Sequence, residues 1–251
     1  MAQQRLDKII ASTGRYSRRE VKTLVREGRV LVDGRIAASA EDKCDPLTAR
    51  ISVNGEELFY REHTYVMLHK PAGVLSATED GRGETVLDLL APEYRKIGLF
   101  PVGRLDKDPE GLLLLTDDGA LAHDLLAPKK HVDKVYFVRT DGALDDADCK
   151  AFEQGITLGD GLECLPAKLE ILKSNVQSEA LITIREGKFH QIKRMLASRG
   201  KPVVYLKRLS MGSLTLDEGL SEGEYRLLTA EEIKNLRESG QFAQGKAGAD
   251  K

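Results

Sequence analysis

A chain of 251 residues is long for one domain and ample for two, one of them small. Its composition, 41% hydrophobic and 31% charged with a formal net charge of −2, is ordinary for a soluble globular protein, and taken alone argues mildly against a nucleic-acid partner. The start MAQQRLDKII carries charge at once and lacks an apolar stretch of signal-peptide length, the apolar run at 112–115 is far too short to span a bilayer, and Cys44, Cys149 and Cys164 show no metal-site spacing. A soluble, cytoplasmic protein with reduced thiols, no bound metal and no membrane contact is expected.

The local charge points the other way from the net charge. Residues 1–35 carry nine Lys/Arg against four acids, and residues 185–208 carry eight against the single acid Glu186. Phosphate neutralisation depends on local charge, so two basic islands suit a polyanion, although solvated helix faces would give the same count.

In chain order, Leu6, Ile9 and Ile10 share a helical face that stops near Gly14. Ser17 and Glu20 have capping-box spacing, with Val21, Leu24 and Val25 as the apolar stripe that follows and Gly28 as a C-cap. Asp33-Gly34 and Asn54-Gly55 are tight-turn signals beside short strands. Two short helices, a hairpin and a basic second helix, carried by RLDKII and SRREVKTLVREGRVLVDGR, resemble the alpha-L (S4-like) RNA-binding domain over residues 1–60. The resemblance implies that Arg18, Arg19, Lys22 and Arg26 face a folded RNA, read by shape and phosphates more than by sequence. A helical cap that touches only the second domain is the competing reading.

Residues 61–239 form the expected main domain. Strands are predicted at 65–68, 112–116, 135–139, 165–172, 180–185 and 203–209, and helices at 85–90, 118–126, 145–154 and 190–199. Thr229 and Glu232 open a last helix, and residues 240–251 are expected to be a flexible tail.

Asp106 lies in a charged loop just ahead of the apolar run 112–115, which suits a buried strand that would support the loop. Arg104 stands two residues away. On residue type alone such an aspartate is more often a surface turn residue than a catalyst.

GRLDKDPEGLLLLT resembles the signature segment of the RsuA-type pseudouridine synthases, with the family's aspartate at Asp106. YVMLHKPAGVLSAT upstream, KVYFV and REGKFHQIKRM downstream match the family's other segments in the same order. The resemblance implies an α+β fold: the small RNA-binding domain, then a catalytic domain with a largely antiparallel mixed sheet and flanking helices. It also implies isomerisation of one uridine in ribosomal RNA, a reaction that conserves atoms and oxidation state and so requires no cofactor.

The implied catalytic residues are Asp106 as nucleophile, Lys193 as the cation that keeps a buried carboxylate charged, and Tyr136 against the uracil. Arg104, Arg194 and Leu196 are the expected substrate-binding residues. Arg104 would fill the space of the flipped base or hold a phosphate, unless it pairs with Asp108 or Glu110. His190 and Gln191 are expected to be structural. Pro109 and Phe189 depart from the family's usual residues, Thr or Ser in the first case and Tyr or Arg in the second. HQIKRM favours the 16S branch over 23S, with a monomer acting on small-subunit RNA or an assembly intermediate. A non-catalytic RNA-binding assembly factor is the reading from another class.

Overall fold

The computed structural model describes residues 3–241, and its contacts gather into two units. The first is the chain up to Thr64 together with residues 90–99; the second is residues 65–89 and the chain from Phe100 onward. Against the expected 1–60 and 61–239, the division falls at Thr64, and residues 90–99 return to the first unit. That return is a short helix, Pro92–Ile97, opened by proline at its first position and closed by Gly98 in the left-handed region. It packs on Gly14, where a Cβ would stand 2.0 Å from the Glu93 carbonyl oxygen.

In the first unit, helix Arg18–Arg26 begins at the expected capping box. The Glu20 amide donates to Ser17 Oγ at 3.2 Å, and the Ser17 amide donates to Glu20 Oε2 at 2.6 Å. Its buried stripe of Val21, Leu24 and Val25 shares a core with Leu6, Ile9 and Ile10 of helix Leu6–Ala11 and with Val30, Ile51 and Val53 of a four-stranded antiparallel sheet. The hairpins Val30–Val32/Arg35–Ile36 and Ile51–Val53/Glu56–Leu58 turn through Asp33-Gly34 and Asn54-Gly55, all four residues at positive φ.

The second unit is built on a nine-stranded sheet, with main order Lys168–Lys173, Gln177–Ile184, Lys134–Asp141, Val203–Met211, Glu110–Thr116, Tyr65–Lys70 and Tyr225–Leu227. Every pairing along it is antiparallel except that of Val203–Met211 with Glu110–Thr116. The expected α+β class, an S4-like domain followed by a mixed, mostly antiparallel sheet, is what the chain adopts. Tyr65–Lys70 is buried along its whole length, as a central strand must be. Lys134–Asp141 alternates, its buried side facing helices Asp146–Gln154 and Gln191–Ser198 through Tyr136 and Val138.

Two local expectations fail. Residues 85–90 form a turn rather than a helix, because the Asp88 carboxylate takes both the amide and the hydroxyl of Thr85 at 2.9 Å. The strand expected at 165–172 starts only at Lys168, after Pro166. From residue 242 the expected tail lies outside the described residues, and helix Ala230–Gln241 leads up to it.

The parallel junction depends on Gly111, at φ +103, where a Cβ would stand 2.3 Å from the Arg208 carbonyl oxygen. Gly111→Ala is expected to cost about 3 kcal/mol. Gly55→Ala, at φ +84 with nothing within 4 Å, should cost only about 1 kcal/mol of backbone strain. Urea midpoints at unchanged m measure both.

Candidate active site

The loop between the short strand Phe100–Pro101 and Glu110–Thr116 carries Arg104, Asp106 and Asp108. Its backbone is held from below by the segment that follows Tyr65–Lys70. Lys70 is fully buried, and its ammonium donates to the carbonyl oxygens of Pro71 (3.0 Å), Lys107 (3.2 Å) and Pro109 (2.9 Å). The Gly73 amide donates to the Lys107 carbonyl at 2.8 Å. Ser76 Oγ donates to the Leu105 carbonyl at 2.8 Å and accepts from the Leu105 amide at 3.2 Å. The residues on both sides of Asp106 are therefore fixed, while its own side chain keeps about a third of its surface open, at 33%.

Burial pushes the Lys70 ammonium down to about 8, and the nearby carboxylates of Asp108, Glu110 and Asp106 oppose that fall. An all-carbonyl set of partners is what makes a charged lysine tolerable at this depth. Sequence reading passed over Lys70. The signal was there in a lysine that ends a mostly apolar strand directly before Pro-Ala-Gly.

Asp106 opens onto a cleft whose lining includes Arg104, Pro109, Tyr136, Ile184, Lys188, His190, Ile192, Lys193 and Leu206. Four of the expected site residues, Asp106, Arg104, Tyr136 and Lys193, thus meet in one place. Tyr136 reaches it from Lys134–Asp141, paired across the sheet with Ile182 and Arg208. Lys193 and His190 come from the start of helix Gln191–Ser198.

Their partnerships differ from expectation. Lys193 Nζ donates to both oxygens of Asp108, at 2.5 and 2.6 Å, not to Asp106. Asp108 is the more exposed carboxylate on the same loop, so a flexible ammonium can reach it with little desolvation. Burial works against ionisation of Asp108, but the hydrogen bond and charge of Lys193 outweigh it and hold the carboxyl below its usual range. The cation nearest Asp106 is instead His190 when protonated, its Nε2 3.5 Å from Asp106 Oδ2. His190 sits in the left-handed region at φ 50, the N-cap of its helix, with no capping bond from its side chain.

Arg194 points away from the cleft and donates to Asp160 at 2.6 Å. Leu196 is fully buried in the core beneath the helix and does not line the cleft, since the apolar stripe of the helix faces the sheet at that position. Gln191 has a structural part: its amide nitrogen donates to Glu186 at 2.7 Å and its oxygen accepts from the Lys188 amide at 3.0 Å.

In the first unit, Arg18 donates to the buried Asp7 carboxylate at 3.0 Å, and Lys22 reaches Glu41 at 3.4 Å. The Asp7 carboxyl is held below its usual range, chiefly by Arg5 and, against burial, also by Arg18. Arg18 therefore serves the fold as well as the surface. Arg19 and Arg26 are exposed and have no ion pair among the described residues.

Comparison with known proteins agrees with this layout. Residues 64–198 match the family model for RNA pseudouridylate synthases, and residues 4–46 match that for the S4 domain. The chain is 51% identical to an uncharacterized RNA pseudouridine synthase of Bacillus subtilis, over 93% of this chain and 98% of that protein. It is 40% identical to the ribosomal small subunit pseudouridine synthase A of Vibrio cholerae, over 92% and 99%. It is 38% identical to the ribosomal large subunit pseudouridine synthase B of Bacillus subtilis, over 93% and 96%. A solved pseudouridylate synthase structure superposes with a TM-score of 0.65 at 36% identity, covering 94% of this chain and all of the other.

The buried lysines give the fold a defined pH response. Lys70 and Lys134, the latter lowered by burial and by Arg208, release protons near 8 when folded, against 10.5 as the ordinary lysine value. Between those values the unfolded chain binds more protons, so unfolding free energy rises with pH, by at most about 1.4 kcal/mol per unit for each lysine. Over pH 8 to 10 the thiols of Cys44, Cys149 and Cys164, pushed up by burial, act in the opposite sense, so the test is a difference: the slope of denaturation midpoint against pH should be lower in Lys70→Met than in the parent chain. An identical slope in the variant would remove Lys70 as its source.

Proposed function

The chain belongs to the RNA pseudouridylate synthase family, and from that premise we propose that it isomerises one uridine of ribosomal RNA with Asp106 as the nucleophile. The observation that carries the assignment of Asp106 is its position: a partly open carboxylate on a loop pinned by Lys70 and Ser76, in a cleft walled by Tyr136.

The reaction breaks the bond between uracil N1 and the sugar carbon, turns the base, and forms a bond from the same carbon to C5. N1 gains a proton and C5 loses one, so nothing is gained or lost overall. A carboxylate at the electron-poor sugar carbon stabilises it, or bonds to it, while the base is detached. Tyr136 offers a flat wall for the turning uracil and a hydroxyl suited to moving the C5 proton. Lys193 supplies positive charge beside the loop, and its Asp108 partner is exposed enough to be exchanged. Arg104, exposed on the same loop, suits the vacated base position or an adjacent phosphate.

The finer target we assign is small-subunit RNA. HQIKRM and the 40% identity to a small subunit pseudouridine synthase A support it; the 38% identity to a large subunit enzyme makes 23S RNA the alternative. We further propose that it acts as a cytoplasmic monomer; no described helix is long and apolar enough to cross a membrane. Pseudouridine mapping by carbodiimide-blocked reverse transcription, in cells with and without the protein, decides the target. One lost 16S site is expected; a lost 23S site moves the target, and no lost site in any ribosomal RNA sinks the proposal.

Asp106→Asn should reduce isomerisation at least 1,000-fold, on the order of what loss of a covalent catalyst costs, with RNA affinity within a few-fold of the parent. Substantial residual turnover would remove Asp106 as the nucleophile. Arg19→Ala with Arg26→Ala should weaken RNA binding and lower the slope of log affinity against log salt by about 2. An unchanged slope would place the phosphate contacts elsewhere.

A further inference from the structure

Phe189 is 72% exposed, directly beside the cleft residue His190. A lone exposed aromatic is unremarkable, and Phe59 is exposed to the same degree. Three features set Phe189 apart. Its ring stacks on that of His190, centroids 3.8 Å apart and planes 18° from parallel. His190 Nε2 in turn lies 3.5 Å from Asp106 Oδ2. The turn that presents the two rings is rigidly tied. Gln191 binds the Lys188 amide and Glu186; Glu186 also accepts from the Leu165 amide at 2.8 Å; and the Lys188 ammonium donates to the Glu163 carbonyl.

One face of the Phe189 ring is thus covered by His190, the residue that contacts Asp106, while most of the ring remains open to solvent. The left-handed backbone of His190, strained for a residue with a Cβ, is the local cost of that orientation. The neighbouring cleft wall carries Arg104, Lys188 and Lys193, a set that favours a phosphate chain.

We propose that Phe189 is a stacking platform for a nucleotide flanking the target uridine, holding the strand in register while the target enters the Asp106 cleft. This rests on the RNA-isomerase reading above. A sequence-tolerant stack fits the geometry, because every base offers a flat face and the solvent side of Phe189 has no hydrogen-bonding edge. Its part is to place the strand, not to touch the reacting atoms.

The test uses the full chain with ribosomal RNA and ribosomal particles from cells lacking it, isomerisation being scored by carbodiimide-blocked reverse transcription. Phe189→Ala and Phe189→Leu should each raise KM about tenfold, the scale of one lost base stack, while kcat changes less than twofold. Phe189→Trp should restore KM. The chain contains no tryptophan, so that variant also reports directly: its fluorescence should be quenched as RNA saturates it. Parental KM in Phe189→Leu would show that apolar bulk suffices and overturn the stack. Unquenched fluorescence at RNA concentrations that saturate the protein by filter retention would do the same. If the unsubstituted chain isomerises no uridine in these substrates, the RNA-isomerase reading fails first and this inference falls with it.

Discussion

The buried ammonium of Lys70 is the constraint on which the site depends. A charge taken out of water is tolerated only where other dipoles replace its hydration, and here three carbonyl oxygens do so, two of them from the loop that carries Asp106. The requirement works in both directions. The lysine needs the carbonyls of Lys107 and Pro109, and it supplies a donor to the Pro109 carbonyl and a second donor, beside the Gly73 amide, to that of Lys107. Strand Tyr65–Lys70 is itself locked into the sheet beside Glu110–Thr116, with Lys70 opposite Gly111, so the loop inherits the rigidity of the sheet centre. On the proposed reading of Asp106 as the nucleophile, placement to within a fraction of an ångström needs this kind of support.

Charge along the chain follows a second logic. Half of the basic residues at 185–208 are matched in space by acids distant in sequence: Lys193 by Asp108, Arg194 by Asp160, Arg199 by Asp148, Arg185 by Asp133. That matching explains how a chain with net charge −2 can carry a cationic cleft wall. Most of these pairs are exposed on at least one side, worth little in water and readily exchanged for a phosphate oxygen. Arg199–Asp148 differs in that the Asp148 side chain is almost fully buried and also closes the capping box of helix Asp146–Gln154.

Features that depend on neighbours in sequence were legible in it. The capping boxes at Ser17–Glu20 and Thr229–Glu232, the two Asx-Gly hairpins, and the strands expected at 65–68, 112–116 and 203–209, each of which extends by two residues at one end, all rest on local chemistry or on apolar runs. The convergence of Asp106, Arg104, Tyr136 and Lys193 on one cleft was legible only through resemblance, because no spacing rule joins residues 30 to 90 positions apart. What stayed hidden was decided by long-range partners: Lys70 beneath the loop, Asp108 as the partner of Lys193, Asp7 as the partner of Arg18. The helix expected at 85–90 failed for a local reason, the Asp88 turn, which competes with helix formation and which a periodicity count does not weigh.

A rigid cleft has an energetic consequence for the RNA. If the loop, the strand bearing Tyr136 and the turn at Gly187–His190 are already held in place, the enzyme has little to reorganise when substrate arrives, and the work of binding falls on the RNA. Extruding a base from its stack costs a few kcal/mol. A cleft that accepts a single flipped uridine recovers part of that, and contacts beyond the target must supply the rest. The proposed RNA contacts at the exposed arginines of helix Arg18–Arg26 and at the open face of Phe189 would supply it. Because binding outside the cleft is realised before and throughout the chemistry, weakening it should act mainly on affinity. Loosening the loop beneath Asp106 should act on the rate of the step itself.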